Sequence, residues 1–230
     1  MRRGTLTVGL SCLLAAQVAG QVGNPPDQSP FRDIIRTQTI SATVGYLTGS
    51  RGKAGVGPSD GLVLGARYEL RLGGPTDLHV SLSWAGTDRF IVDPTQPEDE
   101  QTTGPVSQSL VMLDAGFLFL LTGEKTWRGL APYLSVALGV AFGSATPQDT
   151  SGYEFGTRFT LQPGAGVRYY LGRSWYLRVE ARDVLWQLRY PLSFFESQPG
   201  VPPVLPLGAG ETQWTHHLWI GGAVGFAFRL

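Results

Sequence analysis

Apolar residues alternate with polar or small ones along most of the chain after residue 37. In the segment 61–72 every second residue is apolar: Leu62, Leu64, Ala66, Tyr68, Leu70 and Leu72. Successive side chains of a β-strand point to opposite faces, whereas a helix would scatter these residues around its axis. The alternation therefore predicts strands that each have one apolar face and one small or polar face.

Eight segments show this pattern, and none reads as a long amphipathic helix. The predicted strands are 37–47, 61–72, 77–86, 108–121, 131–142, 155–171, 174–187 and 213–230. Each could cross a bilayer as a tilted strand, which needs about 9–11 residues. Short connections alternate with long ones, as in outer-membrane barrels. The connection 122–130 is longer than this plan expects, and Pro163 inside a strand predicts a bulge or kink.

The N-terminus has the features of a secretory signal peptide. Arg2 and Arg3 precede a mostly apolar stretch over 6–18, and small residues at 18–20 offer a cleavage site. We therefore divide the chain into a signal peptide over 1–20, a periplasmic segment over 21–36 and a barrel over 37–230. A buried N-terminal helix and a lipoprotein acylated at Cys12 are the alternatives. Cys12 is the sole cysteine, so cleavage would leave neither a disulfide nor a catalytic thiol.

The composition excludes several classes of protein. Only 16% of residues are charged and 11% are aromatic, which argues against a disordered chain. The formal net charge is zero, so we expect no nucleic-acid partner. The sequence contains no run of 18 uncharged apolar residues, so it predicts no membrane-spanning helix.

In a lipid-embedded barrel the apolar faces point outward, which places the charged residues of the strands in the lumen. The expected lumen network is Arg67, Glu69, Arg71, Asp114, Arg168, Arg178, Glu180, Arg182 and Arg229. His79 and Arg158 fall on the same inward faces. Eight strands enclose a lumen that side chains just fill, so paired charges predict a structural plug. An ion or ligand path is the alternative interpretation.

Aromatic residues lie near the predicted strand ends and suggest two interfacial girdles. The girdle on the long-loop side would contain Tyr46, Trp84, Phe142, Tyr153, Trp186 and Trp214. The girdle on the short-turn side would contain Trp127, Tyr133, Tyr169, Trp175 and Phe228.

Taken together, these features resemble a known family. The chain resembles the small OmpA/OmpX-like outer-membrane barrels. The resemblance rests on the signal peptide, the eight alternating strands, the run from Gly164 to Leu171, the Arg178-x-Glu180-x-Arg182 strand and the apolar C-terminal strand. The resemblance implies an all-β fold, an eight-stranded antiparallel up-and-down transmembrane β-barrel. It also implies a bacterial outer-membrane location with both termini periplasmic. The family usually ends on an aromatic residue, whereas this chain ends on Leu230 with Phe228 two residues earlier.

Few residues suggest chemistry. His79 and Ser81 resemble the His-x-Ser pair of lipid A deacylase barrels, but the alternation turns both into the lumen, away from lipid. His216 and His217 are adjacent and point to opposite faces, so they cannot easily share a metal ion. We therefore expect no catalytic residues, no metal site, no cofactor and no enzymatic activity.

The favoured function is a structural or surface-interaction role for a barrel with a filled lumen. The alternatives are a narrow pore or conduit for small or hydrophobic molecules, and a lipid-modifying enzyme. A soluble lipocalin-like barrel would need the opposite arrangement, with charges outside. The expected partners are outer-membrane lipid and an extracellular ligand bound through the loops 87–107 and 188–212. We expect a monomer.

Overall fold

The computed structural model describes residues 29–172, 174–197, 199, 201–206 and 208–228. The predicted signal peptide and Arg229 lie outside the described residues. Ten strands and one short 3-10 helix over Leu192–Phe194 form the described chain. The strands are β1 (Phe31–Asp33), β2 (Gln38–Gly49), β3 (Ser59–Gly73), β4 (Thr76–Val92), β5 (Thr102–Leu120), β6 (Lys125–Trp127), β7 (Leu130–Gly143), β8 (Thr157–Tyr170), β9 (Trp175–Arg189) and β10 (Thr212–Phe228). Among these residues no helix is long and apolar enough to cross a membrane.

Eight of the strands close into a barrel. The order β7-β5-β4-β3-β2-β10-β9-β8 is antiparallel throughout, and β7 also pairs with β8 to complete the ring. Apart from β6 and the closing pair of β2 with β10, neighbours in the ring are consecutive in the chain, so the barrel runs up and down. The predicted fold class is confirmed, and each predicted strand coincides with one barrel strand.

The connection 122–130 has structure of its own. Its strand β6 pairs with β1, which lies in the segment before the barrel, through Phe31↔Trp127 and Asp33↔Lys125. β6 also joins β7 through Trp127↔Leu130. The extra length of this connection therefore forms a small two-stranded flap at the short-turn end of the barrel.

The predicted loop 87–107 is much shorter in the structure. β4 continues to Val92 and β5 begins at Thr102, so only 93–101 connects them. The strands stay paired through Arg89↔Val106 and Val92↔Thr102, with one register shift between them. Because the pairing of β4 with β5 continues over residues 87–92 and 102–107, these residues form a hairpin. The hairpin projects beyond the rest of the barrel. The other long connection lies between Arg189 and Thr212, close to the predicted 188–212.

Pro163 does not cause a bulge. The register of β8 against β9 is the same before and after it, from Leu161↔Leu185 to Gly164↔Arg182. The two intervening positions on β8 are not paired with β9, whereas pairing with β7 continues through Val136↔Pro163. The predicted bulge is therefore wrong, because the register is unchanged and only part of one ladder is interrupted.

The barrel is apolar outside and charged inside. Large apolar side chains on the outer wall are about half exposed, among them Val44, Leu64, Leu82, Leu113, Leu138, Val179 and Ile220. Inward-facing neighbours on the same strands are buried and include five of the strand arginines. This is the reverse of a soluble barrel, which keeps its apolar side chains inside. It is the arrangement that lipid around the outer wall requires.

Candidate functional site

Most of the predicted lumen network is buried inside the barrel. Arg67, Glu69, Asp114, Arg168, Arg178, Glu180 and Arg182 are all buried, and Arg71 is partly buried nearer the short-turn end. We call these residues, together with Asp77, the charge layer. Each strand presents its charges on one face because residues two apart share that face.

Glu69 lies at the centre of the charge layer. Its carboxylate is 2.7 Å from Arg178 Nη1 and 2.9 Å from Arg168 Nη2, and it accepts a hydrogen bond from the Thr39 hydroxyl. Arg67 Nη1 is 3.9 Å away. One carboxylate from β3 therefore joins arginines from β8 and β9, on the opposite side of the barrel.

Glu180 is the second centre. Its carboxylate lies 3.1 Å from Arg67 Nη1, 3.6 Å from Arg178 Nε and 3.7 Å from Arg182 Nε. Ser135 contributes a hydroxyl at 3.4 Å. Because Arg67 and Arg178 approach both glutamates, the two centres form one continuous network across the lumen.

The network extends toward the short-turn end through Asp77, which the sequence analysis did not include. Asp77 is 3.1 Å from Arg168 Nη1 and 3.4 Å from Arg71 Nε. It lies two residues before His79 at the start of β4, so it shares the inward face. The alternation along β4 could have identified Asp77 as an inward-facing residue. It was missed because Asp77 directly follows the residues of the preceding turn.

His79 and Ser81 both point into this network. The Ser81 hydroxyl accepts a hydrogen bond from Arg67 Nε at 3.0 Å, and His79 Nε2 is 3.8 Å from Asp114. Asp114 is also 3.8 Å from Arg182 Nη1. The wall of the barrel separates all of these groups from lipid, so their contacts hold buried charges together.

Apolar side chains fill the lumen toward the long-loop end, and several of them come from loops. Val56, Tyr153, Phe155, Phe194 and Leu205 lie between strands, and they pack against wall residues that include Trp186, Trp219 and Leu188. We call these five loop residues the loop cap. The Phe155 ring meets the Trp186 ring edge-on, with 5.4 Å between centroids. Burial raises the pKa of the Tyr153 phenol above its ordinary value.

A second, smaller apolar cluster closes the short-turn end. It consists of Leu118, Leu120, Ala131 and Tyr133, with Ile34 and Tyr170 packed against it. Leu118 and Leu120 are inward leucines at the C-terminal end of β5. Side chains thus occupy the lumen in three layers, with the charge layer in the middle.

The predicted girdles are only partly present. Tyr46, Trp84, Phe142 and Trp214 are exposed on the outer wall toward the long loops, and Trp127, Tyr169 and Trp175 are exposed toward the short turns. Tyr153, Trp186 and Tyr133 are instead buried in the lumen. Trp186 shares the strand parity of Arg182, which already assigned it to the inside.

The projecting β4–β5 hairpin is tied to the neighbouring loop. Arg89 Nη2 is 2.6 Å from Asp149 Oδ2, both side chains are buried, and the guanidinium lies 5.2 Å from the Tyr153 ring centroid. The side-chain amide of Gln108 donates to the Ser144 carbonyl at 2.9 Å. These contacts fix the hairpin over the loop cap.

The adjacent histidines of β10 lie on opposite sides of the wall. His217 is buried and stacks on Trp186 with 4.0 Å between ring centroids. His216 is exposed, and its Nδ1 lies 2.8 Å from Asp183 Oδ2. No group of three potential metal-ligating side chains occurs in the part of the chain that the structure describes.

Comparison with known proteins gives a likeness of fold. No family model matches the chain, and no curated protein matches it. Among solved structures it is similar to Neisserial surface protein A, with a TM-score of 0.55 and 12% identity over 83% of this chain and 97% of that one. It also matches the outer membrane protein OprG from Pseudomonas aeruginosa, with a TM-score of 0.49 and 10% identity over 85% and 98% of the two chains. The chain is therefore a closed eight-stranded antiparallel β-barrel whose fold is similar to that of Neisserial surface protein A.

Proposed function

We propose that this chain is a bacterial outer-membrane protein that holds a loop platform at the cell surface and has no enzymatic activity. Its apolar outer wall supports the membrane location, and the barrel would act as a monomer with both termini in the periplasm. The observation that carries the proposal is the filled lumen. A barrel closed by the charge layer and the loop cap can support loops, but it gives ions no continuous path.

The platform consists of the projecting hairpin and the described residues of the 190–211 connection. The hairpin tip carries exposed carboxylates at Glu98, Asp99 and Glu100, and the other connection carries Glu196 and Glu211. The three like charges at the hairpin tip create a local potential that attracts a partner of the opposite sign. The expected ligand of these loops is therefore a cationic segment of an extracellular molecule.

The first experiment tests the sealed lumen. The purified protein, inserted in a planar bilayer, should show no discrete conductance steps under conditions in which a general porin conducts. Regular steps from the wild-type barrel would contradict the proposal and favour the pore alternative.

The second experiment tests the platform. We expect the protein in lipid nanodiscs to bind an oligolysine peptide and not an oligoglutamate peptide, with affinity that falls as salt increases. Changing Glu98, Asp99 and Glu100 to their amides should weaken binding. The matched control changes Asp33 and Glu124 at the short-turn end and should leave binding unchanged. Equal loss in both variants would show that the hairpin tip is not the binding surface.

A further inference from the structure

A groove opens at the short-turn end of the barrel, next to the flap formed by β1 and β6. Its lining includes Tyr169 of β8, Ser174 of the following turn and Phe228 of β10, together with Arg32 and Thr126 of the flap. Its volume is about 1010 Å³, comparable to the larger small-molecule sites of about 1,000 Å³. The groove therefore forms where the segment before the barrel meets the ends of β8 and β10.

Three arginines line this groove without an ion pair to any carboxylate of the described residues. They are Arg32 on β1, Arg36 shortly before β2 and Arg128 directly after β6. The carboxylate of Asp33 also lies at the groove, but its ion pair is with Lys125, 3.9 Å from Nζ. By contrast, every arginine of the charge layer contacts a carboxylate. The described lining of the groove therefore carries a positive charge that its own carboxylates do not balance.

Tyr170, at the end of β8, lies next to two of these arginines. The Arg36 guanidinium is 5.8 Å from the centroid of the Tyr170 ring, and its Nη2 donates to the Gly172 carbonyl at 3.4 Å. The Tyr170 N–H donates to the carbonyl of Gly129, the residue after Arg128, at 2.9 Å. Arg36 and Arg128 therefore reach the groove from neighbouring positions at the end of β8.

Arg32 reaches the groove from the flap. It is opposite Thr126 in the pairing of β1 with β6, so the two side chains share one face of the flap. Thr126 is buried, which shows that this face is turned toward the barrel. Phe31 and Trp127 form a pair on the other face, and both are exposed. The flap thus presents a cation to the groove and apolar rings to its surroundings.

Exposed apolar side chains around the groove indicate the level of the membrane surface. Ile35 next to the flap and Trp175 at the start of β9 are both exposed. Tyr169 and Leu171 are exposed on the outer wall and also line the groove, so the groove opens toward the lipid-facing surface. Aromatic rings and arginines both favour this interfacial level, because their apolar parts stay in the hydrocarbon while their polar ends reach the headgroups.

We propose, on the basis of the outer-membrane location given in the proposed function, that this groove binds the headgroup of an anionic glycerophospholipid in the leaflet on the short-turn side. Arg32, Arg36 and Arg128 donate charge-assisted hydrogen bonds to the phosphate oxygens. The acyl chains lie along Tyr169 and Leu171 on the outer wall. A zwitterionic headgroup adds a cation that the unbalanced arginines repel, so the groove selects lipids with a net negative charge.

Native mass spectrometry of the full chain in detergent measures which lipids the groove retains. Phosphatidylglycerol and phosphatidylcholine are titrated separately, since both contain the phosphate and differ in net charge. Each arginine near a membrane surface contributes about fivefold to the attraction of anionic lipid. We expect wild type to retain phosphatidylglycerol about tenfold better than phosphatidylcholine, and Arg32→Gln combined with Arg128→Gln to reduce this preference to less than about threefold.

The matched control is Lys53→Gln combined with Arg189→Gln, which removes two exposed cations at the long-loop end. This control should keep the wild-type preference. Equal loss in the two double variants would overturn the proposal, because net charge rather than the groove would then attract the lipid. Equal retention of the two lipids by wild type, or retention of neither, would overturn it as well.

Two further measurements separate the possible causes of failure. Glycerophosphoglycerol, the soluble headgroup without acyl chains, should bind much more weakly than phosphatidylglycerol, and equal binding would overturn the assignment to a membrane lipid. Each protein is also run unboiled and boiled in SDS gels. A wild-type mobility shift without lipid preference would overturn the groove alone, whereas absence of the shift would overturn the membrane location and the lipid site with it.

Discussion

The charge layer and the loop cap fill the same lumen in two different ways. In the charge layer, carboxylates such as Glu69 and Glu180 each contact several arginines from facing strands. In the loop cap, Phe155, Phe194 and Leu205 bury apolar surface against wall residues such as Trp186. The charge layer depends on partners being present, whereas the loop cap depends on volume being filled.

This difference determines how each region should respond to substitution. Removing one partner of a buried ion pair leaves the other charge unsolvated, so damage spreads through the network. Removing an apolar group leaves a cavity whose cost depends on how far the surrounding loops can relax.

The largest effect should come from Glu69→Leu. Arg178 and Arg168 would lose their nearest carboxylate, and we expect the free energy of unfolding to fall by about 4 kcal/mol. Denaturant unfolding in lipid vesicles, followed by tryptophan fluorescence, measures it. Adding Arg178→Met should restore part of the loss, whereas Glu98→Gln on the exposed tip should change stability by less than about 0.5 kcal/mol. Additive losses in the double variant would show that the two residues do not form a network.

Phe155→Ala should have the next largest effect. The substitution removes the ring that packs on Trp186, and we expect a loss of about 3 kcal/mol, the lower end for a buried phenylalanine. Unlike the loss at Glu69, it should remain local to the loops. Hydrogen exchange should speed up over 144–156 while the strands of the charge layer keep their protection. Faster exchange in β3 and β9 would contradict this separation of the two regions.

Gly225→Ala tests how tightly the short-turn side of the lumen is packed. A Cβ at this position would clash with Cζ of the Tyr176 ring, and overpacking of this kind costs about 2 kcal/mol. Gly222→Ala on the outer wall is the control, because its nearest contact would be 3.6 Å. The two variants should differ in thermal stability in micelles, and similar values would mean that Tyr176 can move aside.

The smallest effect should come from Asp149→Asn, which weakens the buried ion pair above the loop cap. The amide oxygen can still accept a hydrogen bond from Arg89, so we expect a loss of about 1 kcal/mol. Limited proteolysis of the hairpin should nevertheless become faster, since Arg89 holds it to the neighbouring loop. If the hairpin resists the protease as well as wild type does, the Gln108 contact is sufficient to fix it.

Much of the charge layer could be predicted because strand parity is a local property. Once Arg178, Glu180 and Arg182 were placed on one face, the same rule placed Arg67 and Glu69 inside. The same rule places Asp77 and Trp186 inside, although neither was assigned to the lumen from the sequence. It was less predictable which side chain each inward glycine makes room for. Gly164 lies against Arg182, whereas Gly225 lies against Tyr176 and Gly221 lies against Trp219.

The loop cap could not be predicted in the same way. Val56, Tyr153 and Leu205 lie in irregular segments without a repeating pattern, and nothing in the order of residues shows which loop turns inward. The Asp183–His216 contact could not be predicted either. It joins residues 33 positions apart, and the register of their two strands brings them together.

The strands, their inner and outer faces and the charged character of the lumen can all be derived from the order of residues alone. Those properties follow from the two-residue repeat of an extended chain and from the exclusion of charge from lipid. The pairing of the charges, the loops that close the barrel and the polar groups on the outer wall become known from the folded structure. Those features depend on the closure of the ring, which brings β7 against β8 and β2 against β10, and on the register of each pairing.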